Sequence, residues 1–169
     1  MDMSKLNKII SMYDIEKSVR EKASEIWDMY YPDELILLCC LKGAFRVTEL
    51  LVKYLKDYPS LNIEFAKISS YIGKRRGDFY VELFPHNLGE KNVIIVEDVI
   101  DSGETIKEVY QLVYNQTESI KIFTLLQKGK KEDITIDFSC FEILDNIFVV
   151  GFGLDYNENL RNLNGIYNF

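Results

Sequence analysis

Four short segments rich in apolar residues, at residues 35–41, 63–68, 93–96 and 120–126, most constrain how this chain can fold. Each has strand length, and the first and third are unbroken apolar runs, which signal strands buried on both faces,. Segments of helical periodicity lie among them. Ile15, Val19, Ala23, Ile26 and Trp27 mark a helix from Ser11 to roughly Tyr30, before the first run. Phe45, Val47, Leu50, Leu51, Tyr54 and Leu55 mark a second helix, and Ile106, Val109, Tyr110 and Val113 a third. Residues 148–150 read as a fifth strand of the same sheet. Alternating elements of this kind predict an α/β fold with a mostly parallel central sheet. At 169 residues the chain is one domain, residues 1–169,.

Ligands of such sheets sit beyond the carboxyl ends of the strands. Lys42, Ser70-Tyr71, the segment from Glu97 to Thr105, Lys128 and Asp155 each follow a predicted strand, so they are expected to converge. The third run passes straight into Glu97-Asp98-Val99-Ile100-Asp101-Ser102-Gly103-Glu104-Thr105. Two adjacent acids ending an apolar strand are poor core residues and suit a diol or a metal. Ser102-Gly103 permits a tight turn, and Thr105 opens a helix whose N–H groups could hold a phosphate. A plain strand–turn–helix with an acidic or serine cap is the ligand-free alternative. A phosphorylated sugar uses both features, since its hydroxyls need acceptors and its phosphate needs donors.

Other classes are disfavoured. The net charge of −7 argues against nucleic acid as a partner,. No apolar run reaches the roughly 18 residues of a membrane helix. No signal peptide is visible, and Cys39, Cys40 and Cys140 lack metal-ligand spacing, so a cytoplasmic location is expected,. There is no G-x-x-x-x-G-K-[ST] loop, and Gly151-Phe152-Gly153 lacks the third glycine of a dinucleotide fingerprint,.

The segment from Glu97 to Thr105 resembles the phosphoribosyl pyrophosphate motif of type I phosphoribosyltransferases. Leu41-Lys42-Gly43, Ser70-Tyr71, Leu125-Leu126-Gln127-Lys128 and the stretch from Val149 to Glu158 occur in an order similar to the hypoxanthine-guanine branch of that family. The resemblance runs from about Leu35 to Leu163. It implies the type I phosphoribosyltransferase fold, with a small hood from the N- and C-terminal segments and a lid over about residues 71–91 that starts at Ser70 and Tyr71. The implied reaction moves the phosphoribosyl group from phosphoribosyl pyrophosphate to N9 of hypoxanthine or guanine, giving IMP or GMP, with Mg²⁺ as cofactor.

The resemblance also assigns roles. Glu97 and Asp98 face the ribose hydroxyls or, with Asp155, the Mg²⁺. Asp101 faces purine N7 as general base. Asp101, Ser102, Gly103, Glu104 and Thr105 wrap the 5′-phosphate. Lys42 and Gly43, after a cis peptide, hold pyrophosphate together with Arg161. Lys128 donates to the 6-oxo group, which disfavours adenine. Phe148 stacks on the base, and Val99, Val149 and Asp155 complete its pocket. Departures from the family pattern include Glu104 for Lys, Ile147 for Lys and Lys131 near an expected Arg. A homodimer or homotetramer is expected. The alternatives are a xanthine-preferring enzyme and a nucleotide-sensing RNA-binding regulator on the same fold.

Overall fold

The computed structural model describes residues 6–70, 79–129, 133–144 and 147–168. In chain order the elements are β1 (Asn7–Ile10), α1 (Met12–Tyr30), β2 (Leu35–Cys40), α2 (Phe45–Tyr54), β3 (Leu61–Ser70) and β4 (Phe79–Leu83). They continue with β5 (Asn92–Ile100), α3 (Glu104–Tyr114), β6 (Ser119–Lys128), β7 (Phe138–Ile143), β8 (Val149–Val150) and β9 (Ile166–Asn168).

A six-stranded sheet has the order β4-β3-β2-β5-β6-β7. All its pairings are parallel except the antiparallel edge pair of β3 with β4. Every residue of β2 is buried, as its unbroken apolar sequence requires of a central strand covered on both faces,. From β2 the chain moves outward through α2 to β3, then returns to the other side of β2 as β5. Right-handed crossovers running in opposite directions put α2 and α3 on opposite faces. The strand order therefore reverses between β2 and β5, and this reversal is where an open α/β sheet forms its ligand crevice,.

Helix α1 starts at Ser11, whose Oγ accepts from the Asp14 N–H at 3.2 Å, and buries Ile15, Val19, Ala23, Ile26 and Tyr30 at helical spacing,. Cys39 and Cys40 are buried in β2 as small core residues,.

One expectation is corrected. Residues 148–150 do not extend the parallel sheet: β8 joins β1 and β9 in a separate three-stranded antiparallel sheet. The outer parallel strand is β7 instead. Its sequence, Phe-Ser-Cys-Phe-Glu-Ile, is broken by polar residues because an edge strand is only half covered,. The small sheet joins the two ends of the chain, as the expected hood does.

In the expected lid segment, Tyr71 lies outside the described residues, and Ser70 ends β3 opposite Phe79 of β4. The later part is anchored to the body. Leu88 is buried in the core, and the Glu90 N–H donates to the Gln116 carbonyl at 3.1 Å.

Candidate active site

The carboxyl ends of β2 and β5, together with the segment after β8, enclose a cavity of about 240 Å³. Lys42, Gly43, Glu97, Asp98, Thr105, Asp155 and Arg161 line it. A second hollow of about 130 Å³ adjoins it through Glu97 and Thr105, and Val99, Asp101, Ser102 and Gly103 help to line it. Of the residues expected to converge, Lys42, Asp155 and most of the segment from Glu97 to Thr105 line these two hollows, and Lys128 joins them through its pair with Asp101.

Close backbone contact builds its floor. The Leu41–Lys42 peptide is cis. A Cβ on Gly43 would lie 1.7 Å from Asp98 Oδ2, so the carboxylate rests directly on the glycine. A Cβ on Gly153, at φ +105°, would lie 2.2 Å from the Gly43 carbonyl oxygen. Asp98, Gly43 and Gly153 thus form a stack that no larger residue at either glycine would permit.

The acids of the floor are held out of water. Asp98 is buried, its Oδ1 accepting from the Val99 N–H at 2.9 Å. Glu97 Oε2 is enclosed without a hydrogen-bond partner. Burial, reinforced by the neighbouring Asp98, pushes Glu97 well above the usual carboxylate range,. Burial raises Asp98 too, against the opposing pull of Arg161. Two desolvated carboxyls side by side, one with an orphaned oxygen, are suited to donors or a cation brought in by a ligand.

Arg161 lies across the cavity. Its Nη1 donates to the Gly153 carbonyl at 2.7 Å, and its Nη2 pairs with Asp155 Oδ1 at 2.6 Å and Glu158 Oε1 at 3.3 Å. Lys42 Nζ meets the other Glu158 oxygen at 2.7 Å. One carboxylate therefore bridges the two cations that the sequence assigns to an anionic ligand. That role of Glu158 was not anticipated, because a lone exposed acid in a loop carries no sequence signal.

The second hollow surrounds the turn between β5 and α3. Gly103 caps α3 in the left-handed conformation at φ 80° and has no side chain to cap it; the Glu104 N–H donates to Ser102 Oγ at 3.4 Å, a long contact that an incoming anion can replace,. Ile134 packs where a Gly103 side chain would stand. Glu104 is the acid in the first turn of α3, where it complements the helix dipole, so only its backbone N–H suits a phosphate,. At the end of β6, buried Lys128 pairs with Asp101 Oδ2 at 2.9 Å. Phe148 is exposed and meets Tyr156 edge-on, with ring centroids 5.9 Å apart, while Val149 is buried in β8.

A phosphoribosyl transferase domain model matches residues 9–157. The hypoxanthine-guanine phosphoribosyltransferase of Bacillus subtilis (strain 168) is 37% identical over 161 residues, covering 92% of this chain and 88% of that protein. The chain belongs to the hypoxanthine-guanine phosphoribosyltransferase family. The crystal structure of a hypoxanthine phosphoribosyltransferase from Staphylococcus aureus superposes with a TM-score of 0.89 at 30% identity, covering 96% of this chain and 90% of that one. The Trypanosoma cruzi hypoxanthine phosphoribosyltransferase, in complex with the product IMP, gives 0.85 at 30% identity, covering 95% and 92%. The type I phosphoribosyltransferase fold expected from the sequence is the fold observed.

Lys42, Gly43 and Arg161 line the first hollow and Asp101, Ser102, Gly103 and Thr105 the second, with Lys128 paired to Asp101; Phe148 lines neither. Lys131 lies outside the described residues. Among the described residues no group of three His, Cys, Asp or Glu side chains is gathered tightly enough to form a metal nest, so Glu97, Asp98 and Asp155 are not a preformed triad. Among the described residues no helix is long and apolar enough to cross a membrane.

Proposed function

We propose that this protein transfers the 5-phosphoribosyl group of phosphoribosyl pyrophosphate to N9 of hypoxanthine or guanine, releasing pyrophosphate and giving IMP or GMP. The observation that carries this reading is the Asp101–Lys128 pair, 2.9 Å apart at the ends of adjacent parallel strands. A 6-oxopurine offers one edge with an acceptor, O6, next to N7, which gives up a proton as N9 becomes bonded to ribose. Lys128 donates to O6, and Asp101 accepts at N7. Adenine would present an amino donor to the Lys128 ammonium and leave two donors facing each other.

The other residues orient the sugar. Glu97 and Asp98 accept from the ribose hydroxyls. The N–H groups and hydroxyls from Ser102 to Thr105 hold the 5′-phosphate. Lys42 and Arg161 neutralise the pyrophosphate as the bond to C1′ breaks. Phe148 stacks on the purine, Val99 lines the hollow beside it, and backbone carbonyls of Val149 and Asp155 face its far edge. Ser70 and Tyr71 begin the lid that shuts out water.

The donor set fits Mg²⁺, which is held by one or two carboxylates plus substrate oxygens and needs no all-protein cage. Glu97, Asp98 and Asp155 all line the same cavity and would hold it. When bound, Mg²⁺ adds positive charge against the departing pyrophosphate. The protein acts as a cytoplasmic salvage enzyme. It assembles as a homodimer or homotetramer, for which exposed Ile63 and Phe65 on β3 and Leu83 on β4 offer an apolar surface. Light scattering reads that state, a monomer refuting it.

The purified protein, given Mg²⁺, phosphoribosyl pyrophosphate and hypoxanthine or guanine, is expected to form nucleotide and pyrophosphate in equal amounts. If it forms neither product, the reading is wrong.

A further inference from the structure

We propose that Arg46 is the positioning residue of the pyrophosphate side of the site, fastening the chain that carries Asp155 and Arg161 to the Lys42-Gly43 turn. This rests on the phosphoribosyl-transfer reading and adds a residue to it.

Arg46 is the second residue of α2, one residue beyond Lys42-Gly43-Ala44. A cation in the first turn opposes the helix dipole, and no acid occupies that turn to offset it,. Local helix energetics therefore do not account for an arginine there; its long-range contacts do. The Arg46 guanidinium carbon lies 4.6 Å from the ring centroid of buried Phe152,. Its Nη1 donates to the Leu163 carbonyl at 3.0 Å and the Arg161 carbonyl at 3.4 Å, and its Nη2 donates to Asn164 Oδ1 at 3.3 Å. One planar fork thus grips the 152–164 arm at both ends, a reach that an ammonium cannot match.

The arm needs an external tie. Phe152, Asn157, Glu158 and Leu160 all have positive φ, at 48°, 50°, 64° and 72°. Non-glycine residues in that region persist only where surrounding structure over-determines them. Arg161 bonds back to Gly153 within the arm, which stiffens it but does not locate it. Three contacts tie it to the Lys42 turn: the Gly153–Gly43 backbone approach, the Lys42–Glu158 ion pair between exposed side chains, and the Arg46 grip. Without Arg46, the separation of the Arg161 guanidinium and the Lys42 ammonium, which a two-phosphate ligand must match, rests on the glycine approach and on the exposed Glu158 bridge, which such a ligand displaces. Asp101, which follows β5, and Lys128, which ends β6, read the purine edge, and Val149 belongs to β8, so of the purine contacts only the Asp155 carbonyl moves with the arm.

The test compares Arg46→Ala and Arg46→Lys with the unmodified protein in steady-state kinetics and calorimetric titration with Mg²⁺ and inorganic pyrophosphate. Arg46→Ala is expected to raise both KM for phosphoribosyl pyrophosphate and Kd for pyrophosphate about tenfold, the effect of losing one or two charge-assisted hydrogen bonds. KM for hypoxanthine should change less than about twofold, and Arg46→Lys should recover part of the loss. In an Arg161→Ala background most of the Arg46→Ala effect on pyrophosphate affinity should vanish, because the two residues act through one arm. The proposal is overturned by an unchanged Kd, by equal rises in both KM values, or by full additivity with Arg161→Ala. If Arg46→Ala does not fold, the same outcomes are read from Arg46→Lys. Absence of nucleotide formation by the unmodified protein would instead count against the phosphoribosyl-transfer reading, while the pyrophosphate titrations still decide the role of Arg46.

Discussion

Substituting Gly43 by alanine tests the floor of the site at its tightest point. The added methyl carbon would lie 1.7 Å from Asp98 Oδ2 and 2.3 Å from Asp98 Cγ, about half an ordinary contact distance,. Neither side yields freely. Asp98 is buried and tied to the Val99 N–H at 2.9 Å, and the Gly43 carbonyl is backed by Gly153. Relief therefore breaks the Asp98 hydrogen bond, costing about 1–3 kcal/mol, or strains the backbone as an overpacked core does, at about 1–3 kcal/mol. A combined loss of about 2–4 kcal/mol lowers the melting temperature of a domain this size by about 5–15 °C. Displacement of Asp98 or Lys42 by about 1 Å costs roughly 100-fold in kcat/KM for phosphoribosyl pyrophosphate. Thermal denaturation and steady-state kinetics read the two effects separately. Adding Asp98→Ala removes the obstructing carboxylate, so the double variant should regain melting temperature while staying inactive. The reasoning is refuted if Gly43→Ala melts within about 2 °C of the original protein and keeps its KM, since the stack would then tolerate a methyl group.

Three further substitutions probe the charges. Asp101→Asn is expected to lower kcat by at least about 100-fold while binding of phosphoribosyl pyrophosphate persists; unchanged turnover would remove Asp101 from the base role. Burial raises the folded-state Glu97 pKa above its unfolded value near 4.3, so its favourable contribution is complete below that pH and is lost as pH rises through the folded value,. Glu97→Gln should therefore melt close to the original protein near pH 4 and above it at pH 8, both without Mg²⁺. A lower melting temperature at pH 8 would contradict the burial argument. Glu158 bridges Lys42 and Arg161, and the Lys42 hydrogen bond holds its carboxyl below the usual range. Glu158→Gln should free Lys42, leave Arg161 paired only with Asp155, and tighten pyrophosphate binding a few-fold by calorimetry,. Weaker binding would show that Glu158 supports the site rather than competing for it.

How much of this was legible in the sequence depended on how local each signal is. The central strands β2 and β5 carry continuous apolar runs, and β6 an apolar run broken only by Lys121 and Thr124, so these segments announce the strands to within four residues at each end,. β7 sits at the edge, and its mixed sequence hid it; the apolar residues 148–150 then passed for the missing strand. The chemistry after β5 was legible because one contiguous segment supplies both the acids and the anion loop. Lys128 and Arg161 became legible only through resemblance, since an isolated cation at a strand end or in a loop has many uses. The Arg46 grip, the Glu158 bridge and the Gly43–Gly153 contact join residues more than 100 positions apart. No spacing rule encodes such pairs; chain topology creates them.

The central claim is that Asp101 and Lys128 together read a 6-oxopurine edge. A kinetic panel of hypoxanthine, guanine, xanthine and adenine, each with Mg²⁺ and phosphoribosyl pyrophosphate, tests it most directly. The account predicts turnover of hypoxanthine or guanine, with kcat/KM about 10⁴-fold above adenine, the discrimination expected when a mismatched base leaves buried donors unpaired. Comparable turnover of adenine would contradict it.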